Sequence, residues 1–515
     1  MNLNRINNRI TGNVLFIALF LGLFFYFNLD ETMFYPPQSV HIWRQTNSLS
    51  LTHNYYEHNV PFLQPEMHNQ FCDQGTSGKA VGEFPVIYYL VAQLWKVFGK
   101  QEWIFKLVHL TILFLGLYAL YLSLSKIIKN HLLAAFPGLL LFTSPMVVFY
   151  GPNFLPDVPA LSFVFMAWYF VLRFLDRRRM VHLWVSAALF CLAMLLKITS
   201  AISFIALGGW ILFELLFLKK ENRHFNFSLK HFIPFLPVLL VVFVWYWYAD
   251  HYNDLHGGHF SYHGIWPVWQ MTSEQFHRIM DALDKIYFKE LFLPFTQYIT
   301  VGVWIYLVVI IKKLKPVFRF FILVLPAGFV IQNLLWFQVL EGHDYYVINL
   351  LVVMAAVWAV FLMQVNKLQP SYKLVASVLL FALLIWNAIT CRERTLTRYE
   401  GWMNEMYHKN FKALMEIPPL LQEWGIRKND KVISVPDFTI NGSLYFMNMK
   451  GYTNFANDFT KAEAFYQRIE QGASYLIVND STLLKNEVIR PFITNKVGEY
   501  KNISVYDLRE IEKRD

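Results

Sequence analysis

Cysteine is scarce. The 515 residues hold three, Cys72, Cys191 and Cys391, with no close spacing, so neither a zinc site nor a disulfide framework is indicated. Charge is scarce as well: 16% of residues are charged, against 56% hydrophobic and 18% aromatic, and the apolar residues come in long runs. This excludes an ordinary soluble domain and predicts a polytopic α-helical membrane protein. No repeat of solenoid period is found. The apolar stretch Val14 to Phe27 follows Arg5 and Arg9 like a signal peptide, but NLDETMFY comes next rather than a small-x-small cleavage site, which predicts an uncleaved first span. The net charge of +9 does not indicate a nucleic-acid partner, because the basic residues form short clusters between apolar spans (176–180, 219–224, 312–319) and no continuous basic face.

About eleven spans are expected, near 12–28, 103–126, 132–150, 158–175, 183–197, 199–218, 232–249, 291–311, 318–337, 345–365 and 372–391. The run Phe84 to Phe98 is left out: about fifteen residues fall short of the roughly 20 a bilayer needs. Counting it as a span would also invert the positive-inside rule at every later loop. It is expected to lie at the outer surface, anchored by Tyr88, Tyr89 and Trp95. The N-terminus and basic loops are then inside. Outside lie the first loop, 29–102, with 151–157, the turn at Lys197, 250–290, 338–344 and the tail. The predicted domains are 1–391, membrane-embedded, and 392–515, a small α/β domain with short β-branched runs (KVISV, ASYLIVND, ISVYDL) alternating with helical stretches. That tail has no glycine-rich phosphate loop and no nucleophile elbow, so it is expected to be structural or acceptor-handling.

Polar residues gather on one side. The first loop carries Asp30, Glu31, Glu57, Glu66, Asp73 and Glu83, and the second outer piece carries Asp157 in PNFLPDVPAL. A carboxylate beside low-dielectric lipid can be tuned as a general base, although Asp157 before a helix also reads as an N-cap. In H-I-W-R-Q, His41, Arg44 and Ser48 share one helical face, with Gln45 beside them. Arg44 is suited to gripping phosphate, and it also reads as a snorkelling juxtamembrane arginine. Lys197 sits in a tight turn on the same side, and His343, Asp344, Tyr345 and Tyr346 form another helix mouth.

The first-loop carboxylates, H-x-W-R-Q, the segment Gly82 to Pro85 (G-E-F-P), PDVPAL, the Lys197 turn and HDYY together resemble the GT-C glycosyltransferases of family 39 over roughly residues 10–390. These include protein O-mannosyltransferases and the lipid A aminoarabinose transferase. The resemblance implies a polyprenyl-phosphate sugar donor and inverting transfer to an acceptor outside the cytoplasm. Its first-loop carboxylate maps onto Asp30 or Glu31. Relatives place Asp-Glu directly before H-x-W-R-Q where this chain has Ser39-Val40, so the base lies among Asp30, Asp73 and Glu83; the second carboxylate maps onto Asp157. Arg44, Lys79 and Lys197 are the candidate phosphate cations, with His41, Gln45, His343, Asp344 and Tyr345 as substrate contacts. Some members of the wider superfamily hold a divalent metal on carboxylates, and oxygen ligands are available here. Rival classes are a lipid transporter or flippase, an oligosaccharide ligase or polymerase, and an inactive scaffold. Against the transporter, the spans read as mostly continuous and the polar residues gather at one face.

Overall fold

The computed structural model describes residues 3–223, 225–258 and 264–511. By packing, the chain forms two compact units. A membrane unit comprises Met1–Phe34, Phe105–Tyr246 and Gly264–Thr395; a polar unit comprises Tyr35–Ile104, Trp247–His263 and Leu396–Asp515.

Each expected span coincides with a helix, but not every helix is long. Among the described residues seven are long and apolar enough to cross a membrane: Glu102–Ser125, Asp157–Arg177, Ile198–Phe217, Leu229–Leu255, Pro316–Leu335, Asp344–Val365 and Pro370–Glu400. An eighth forms if the bent pair Ser273–Leu291 and Pro294–Val309, which meet at 94°, is one span. Ile10–Tyr26, His131–Leu141 and Met180–Leu196 are shorter apolar helices at the remaining expected positions. The span expected over 132–150 is two helices, His131–Leu141 and Pro145–Tyr150. Pro145 lacks an amide hydrogen and disfavours helical geometry at Ser144, which is extended. The chain is thus a polytopic helical membrane protein.

The run left out of the span count is the helix Val86–Phe98, 13 residues long. At about 1.5 Å per residue it reaches roughly 20 Å, short of the hydrocarbon thickness. Ile87, Tyr88, Val91, Ala92 and Trp95 face the protein, while Leu90, Val97 and Phe98 remain exposed.

In the polar unit the C-terminal residues build a five-stranded sheet from β1 (Lys431–Val435), β2 (Lys450–Thr453), β3 (Ala473–Val478), β4 (Lys496–Tyr500) and β5 (Ile503–Asp507). The spatial order is β2-β1-β3-β5-β4. The first three strands are parallel, and β5 pairs antiparallel with β3 and β4. Short β-branched runs form β1, β3 and β5 as expected. β4, KVGEY, alternates too weakly to read as a strand from sequence.

The packing boundary differs from the 391/392 boundary read from composition, because the first loop completes the sheet domain. Asn69 bridges to Gly451 at the edge of β2, Gln70 N–H donates to the Gly451 carbonyl at 2.8 Å, and Phe71 enters the core with Ile433, Tyr452 and Phe465. Asn441 accepts from Asn69 N–H at 2.9 Å and donates to Asn47 Oδ1 at 2.8 Å. Gly451 has φ 156°, and a Cβ there would stand 1.9 Å from the Val432 carbonyl oxygen, so only glycine fits.

Candidate active site

In the membrane unit, Asp157 opens the helix Asp157–Arg177 behind Pro156, with Pro159 also in the first turn. The cap position is Pro156, so Asp157 is not the N-cap; its charge lies at the positive end of the helix. Its side chain is wholly buried. Lys197 caps the end of Met180–Leu196 in an extended conformation before the short turn Ile198–Ser200. There its Nζ lies 3.2 Å from Asp157 Oδ1. The same ammonium stands 4.9 Å from the ring centroid of Tyr345 and 4.4 Å from that of Tyr346. A cation over two aromatic faces is stabilised by their quadrupoles where water is scarce. Asp344 accepts the Tyr150 hydroxyl at 2.6 Å, the Tyr150 and Tyr345 rings meet at 6.0 Å, and His343 Nδ1 lies 3.0 Å from the Val339 carbonyl. Asp157, Lys197, Asp344, Tyr345 and His343 therefore converge.

Two contributors to this cluster, Tyr150 and Tyr346, and a buried lysine beside Thr32, Lys106, lie outside the expected site residues. Tyr150 reads as the end of a span, and Tyr346 reads as an aromatic belt. Lys106 is buried within an expected span, its Nζ donating to the Thr32 carbonyl at 2.9 Å and lying 5.2 Å from the Phe154 ring. The signal for Lys106 was a lysine inside an apolar run, where ionisable residues are rare. Asp30 and Glu31 belong to the adjacent turn Leu29–Thr32, and both side chains are exposed.

The polar unit holds the other expected residues. Ile42–Glu57 is a helix, with His41 preceding it at φ 56°. Arg44 forms an ion pair with Glu83, the two side chains 4% and 11% exposed. Tyr88 donates to Glu83 Oε2 at 3.3 Å, and Ser48 donates to the Tyr88 hydroxyl oxygen at 3.4 Å. Gln45 Nε2 donates to the carbonyls of Gln38 and Val40 at 2.7 and 2.9 Å, fixing the turn before the helix. Asn404 reinforces that turn, accepting from Ser39 N–H and donating to Gln38 Oε1, each at 2.8 Å. Asp73 accepts from Ser77 at 2.6 Å, pairs with His256 at 2.7 Å and with Lys79 at 3.6 Å. Burial works to raise the Asp73 carboxyl, but the hydrogen bonds from Ser77 and His256 and the nearby cations hold it below its ordinary range. Such a carboxylate is a weaker base than an unengaged one, and Lys79 is largely spent on it.

A divalent ion finds no ready set of donors: among the described residues no three His, Cys, Asp or Glu side chains converge on one point. The described residues do not fit a carboxylate-held metal.

Residues 82–247 match the family model described as dolichyl-phosphate-mannose-protein mannosyltransferase. No curated protein sequence matches the chain. In fold it is similar to apo ArnT from Cupriavidus metallidurans, with TM-score 0.61 and 12% identity over 96% of this chain and 97% of that one. It is similar also to ArnT from Cupriavidus metallidurans bound to undecaprenyl phosphate, with TM-score 0.58 and 11% identity over 96% and 97%. Arabinofuranosyltransferase AftD from Mycobacteria gives TM-score 0.50 and 13% identity over 95% of this chain and 40% of that one. The family model covers residues 82–247 alone, and at 11–13% identity the likeness to the solved structures is one of fold.

Proposed function

We propose that this membrane protein is a GT-C glycosyltransferase of the family 39 type that moves a hexosyl or pentosyl group from a polyprenyl-phosphate donor to an acceptor at the outer face of the cytoplasmic membrane. Transfer belongs to residues 1–391, and 392–515 supports or handles the acceptor. The observation that carries the reading is the buried Asp157–Lys197 pair under Tyr345 and Tyr346. A lysine ion-paired with a fixed carboxylate at a helix mouth is suited to meeting a lipid-borne phosphate. The ArnT complex with undecaprenyl phosphate supports a polyprenyl monophosphate as the carrier.

In the reaction the acceptor oxygen forms a bond to the anomeric carbon while the bond from that carbon to the phosphate oxygen breaks, inverting the centre. The electron pair leaves with polyprenyl phosphate, which needs no protonation at neutral pH, and Lys197 balances its growing charge. The acceptor proton passes to a first-loop carboxylate. Glu83 is the first choice because it precedes the Val86–Phe98 helix beside the Tyr88 hydroxyl, and its pairing with Arg44 must open for it to act; Asp30 is second, and Asp73, held by three partners, is third. Asp157 fixes Lys197.

The test compares Glu83→Gln, Asp30→Asn, Asp73→Asn and Asp157→Asn in folded protein, using a panel of polyprenyl-phosphate sugars with membrane extract as acceptor. One of the three first-loop amides should lose about two orders of magnitude or more in rate, the scale of a positioned base, and Asp157→Asn should also fall. Near-normal transfer by all four variants would sink the reading.

A further inference from the structure

The helix Asp157–Arg177 carries a second concentration of charge at its far end. Arg178 caps it, and from Asp157 to Arg178 the chain rises about 31 Å at 1.5 Å per residue, one hydrocarbon thickness. There a cavity of about 470 Å³ opens among four segments of the membrane unit. Its lining brings Lys126, Arg178, Lys313, Lys315 and Lys367 together with one carboxylate, Asp176, which Lys126 engages at 2.7 Å. The remaining positive charge is in excess. Between the charged groups the wall is mainly apolar, with Leu172, Leu175 and Phe318 beside the polar Ser123, Gln364 and Asn366.

Topogenic bias explains why basic residues occupy the loops on this side. It does not require cations from four separated stretches to border one recess with an apolar wall. A phosphodiester at the rim with its glycerol and first methylenes against that wall satisfies both features, as basic pockets between membrane helices do for anionic headgroups. An acidic soluble partner would use the charge and leave the apolar recess unfilled. We infer that this cavity binds the headgroup phosphate of an anionic phospholipid from the adjoining leaflet, a full membrane thickness along the helix from Asp157.

The test uses the full chain in neutral detergent with no sugar donor, so it stands apart from the transfer reading. Native mass spectrometry counts phosphatidylglycerol retained against phosphatidylcholine as the zwitterionic control. Phosphatidylglycerol should be preferred, K313A/K315A should cut its retention roughly tenfold or more, and K313R/K315R should restore it in protein of matched thermal unfolding. Millimolar inorganic phosphate should leave the lipid bound. Equal retention of the two lipids, undiminished retention in K313A/K315A, or displacement by phosphate, which would mark a free-phosphate site, each overturns the inference.

Discussion

Each unit of the molecule buries an ion pair, and the two are stabilised by different means. In the membrane unit Lys197 meets Asp157 beneath two tyrosine faces. In the polar unit Arg44 meets Glu83 within a chain of hydroxyls from Tyr88 and Ser48. Hydroxyl donors share the anionic charge directly, whereas aromatic quadrupoles favour the cation. The membrane pair therefore depends more on both partners staying charged, and the polar pair has a fallback donor when its cation is lost. Buried charge of either kind is weak evidence for stability as such, because desolvation opposes the attraction; placement at a helix mouth points to use.

Breaking the membrane pair should give the largest effect. Lys197→Met strands the wholly buried Asp157 charge and should cost about 3–5 kcal/mol, read by unfolding in detergent. Most of the loss should return in Lys197→Met/Asp157→Asn. If the double variant is no better than the single, the two groups are not a charged pair.

Arg44→Ala is the matching break in the polar unit, and because Tyr88 still donates to Glu83 it should cost about 1–3 kcal/mol. Arg44→Lys should recover only part of it, since a lysine lacks the planar fork. The same comparison sharpens the phosphate assignment. Arg44→Ala and Lys197→Ala are each expected to weaken donor binding by about 1.5–3 kcal/mol, and unchanged donor affinity in both would remove these cations from the donor site.

Acid should act on the polar unit. His68 lies between Ser50, whose Oγ is 2.7 Å from Nδ1, and the His53 ring at 5.1 Å. Burial lowers His68 from 6.5 to about 3 and pushes His53 further down. Unfolded chains thus bind protons that the folded state refuses: stability is full above pH 6.5 and falls as pH drops toward 3. Each histidine contributes a slope of at most about 1.4 kcal/mol per pH unit. His68→Asn should flatten the fall in unfolding midpoint between neutral pH and the lower end of that window; an unchanged slope would refute the assignment.

The smallest effect belongs to the exposed pair Lys428–Glu57, 2.8 Å apart with side chains 54% and 27% exposed. Lys428→Ala should shift stability by less than about 1 kcal/mol. A larger loss, measured by the same unfolding, would mean that this pair is desolvated in solution.

Much of this was legible in the chain itself. Apolar run length placed the spans, and the proline-flanked Asp157 and the HDYY mouth announced the membrane cluster. Run length could not show that Ser144–Pro145 breaks one span into two short helices, because a hydropathy window averages over a single break. Lys106 stayed hidden for a related reason, its charge diluted by apolar neighbours. The pairing of Asp73 with His256 spans 183 residues, and no local pattern encodes it. Gln45 looked like a ligand contact because its backbone partners, Gln38 and Val40, are invisible without the turn they form.

The bond from Asn69 to Asn441 closes across 372 residues. A ribosome adding about 5–20 residues per second takes tens of seconds to bridge that gap. Until then Phe71 has no core to enter and Asn47 lacks its Asn441 partner, although Arg44 and Glu83, both in the first loop, can already meet. The order of synthesis thus sets a timer on maturation: a ribosome stalled before β1 would leave the membrane helices made while Asn47 and Phe71 still lack their C-terminal partners.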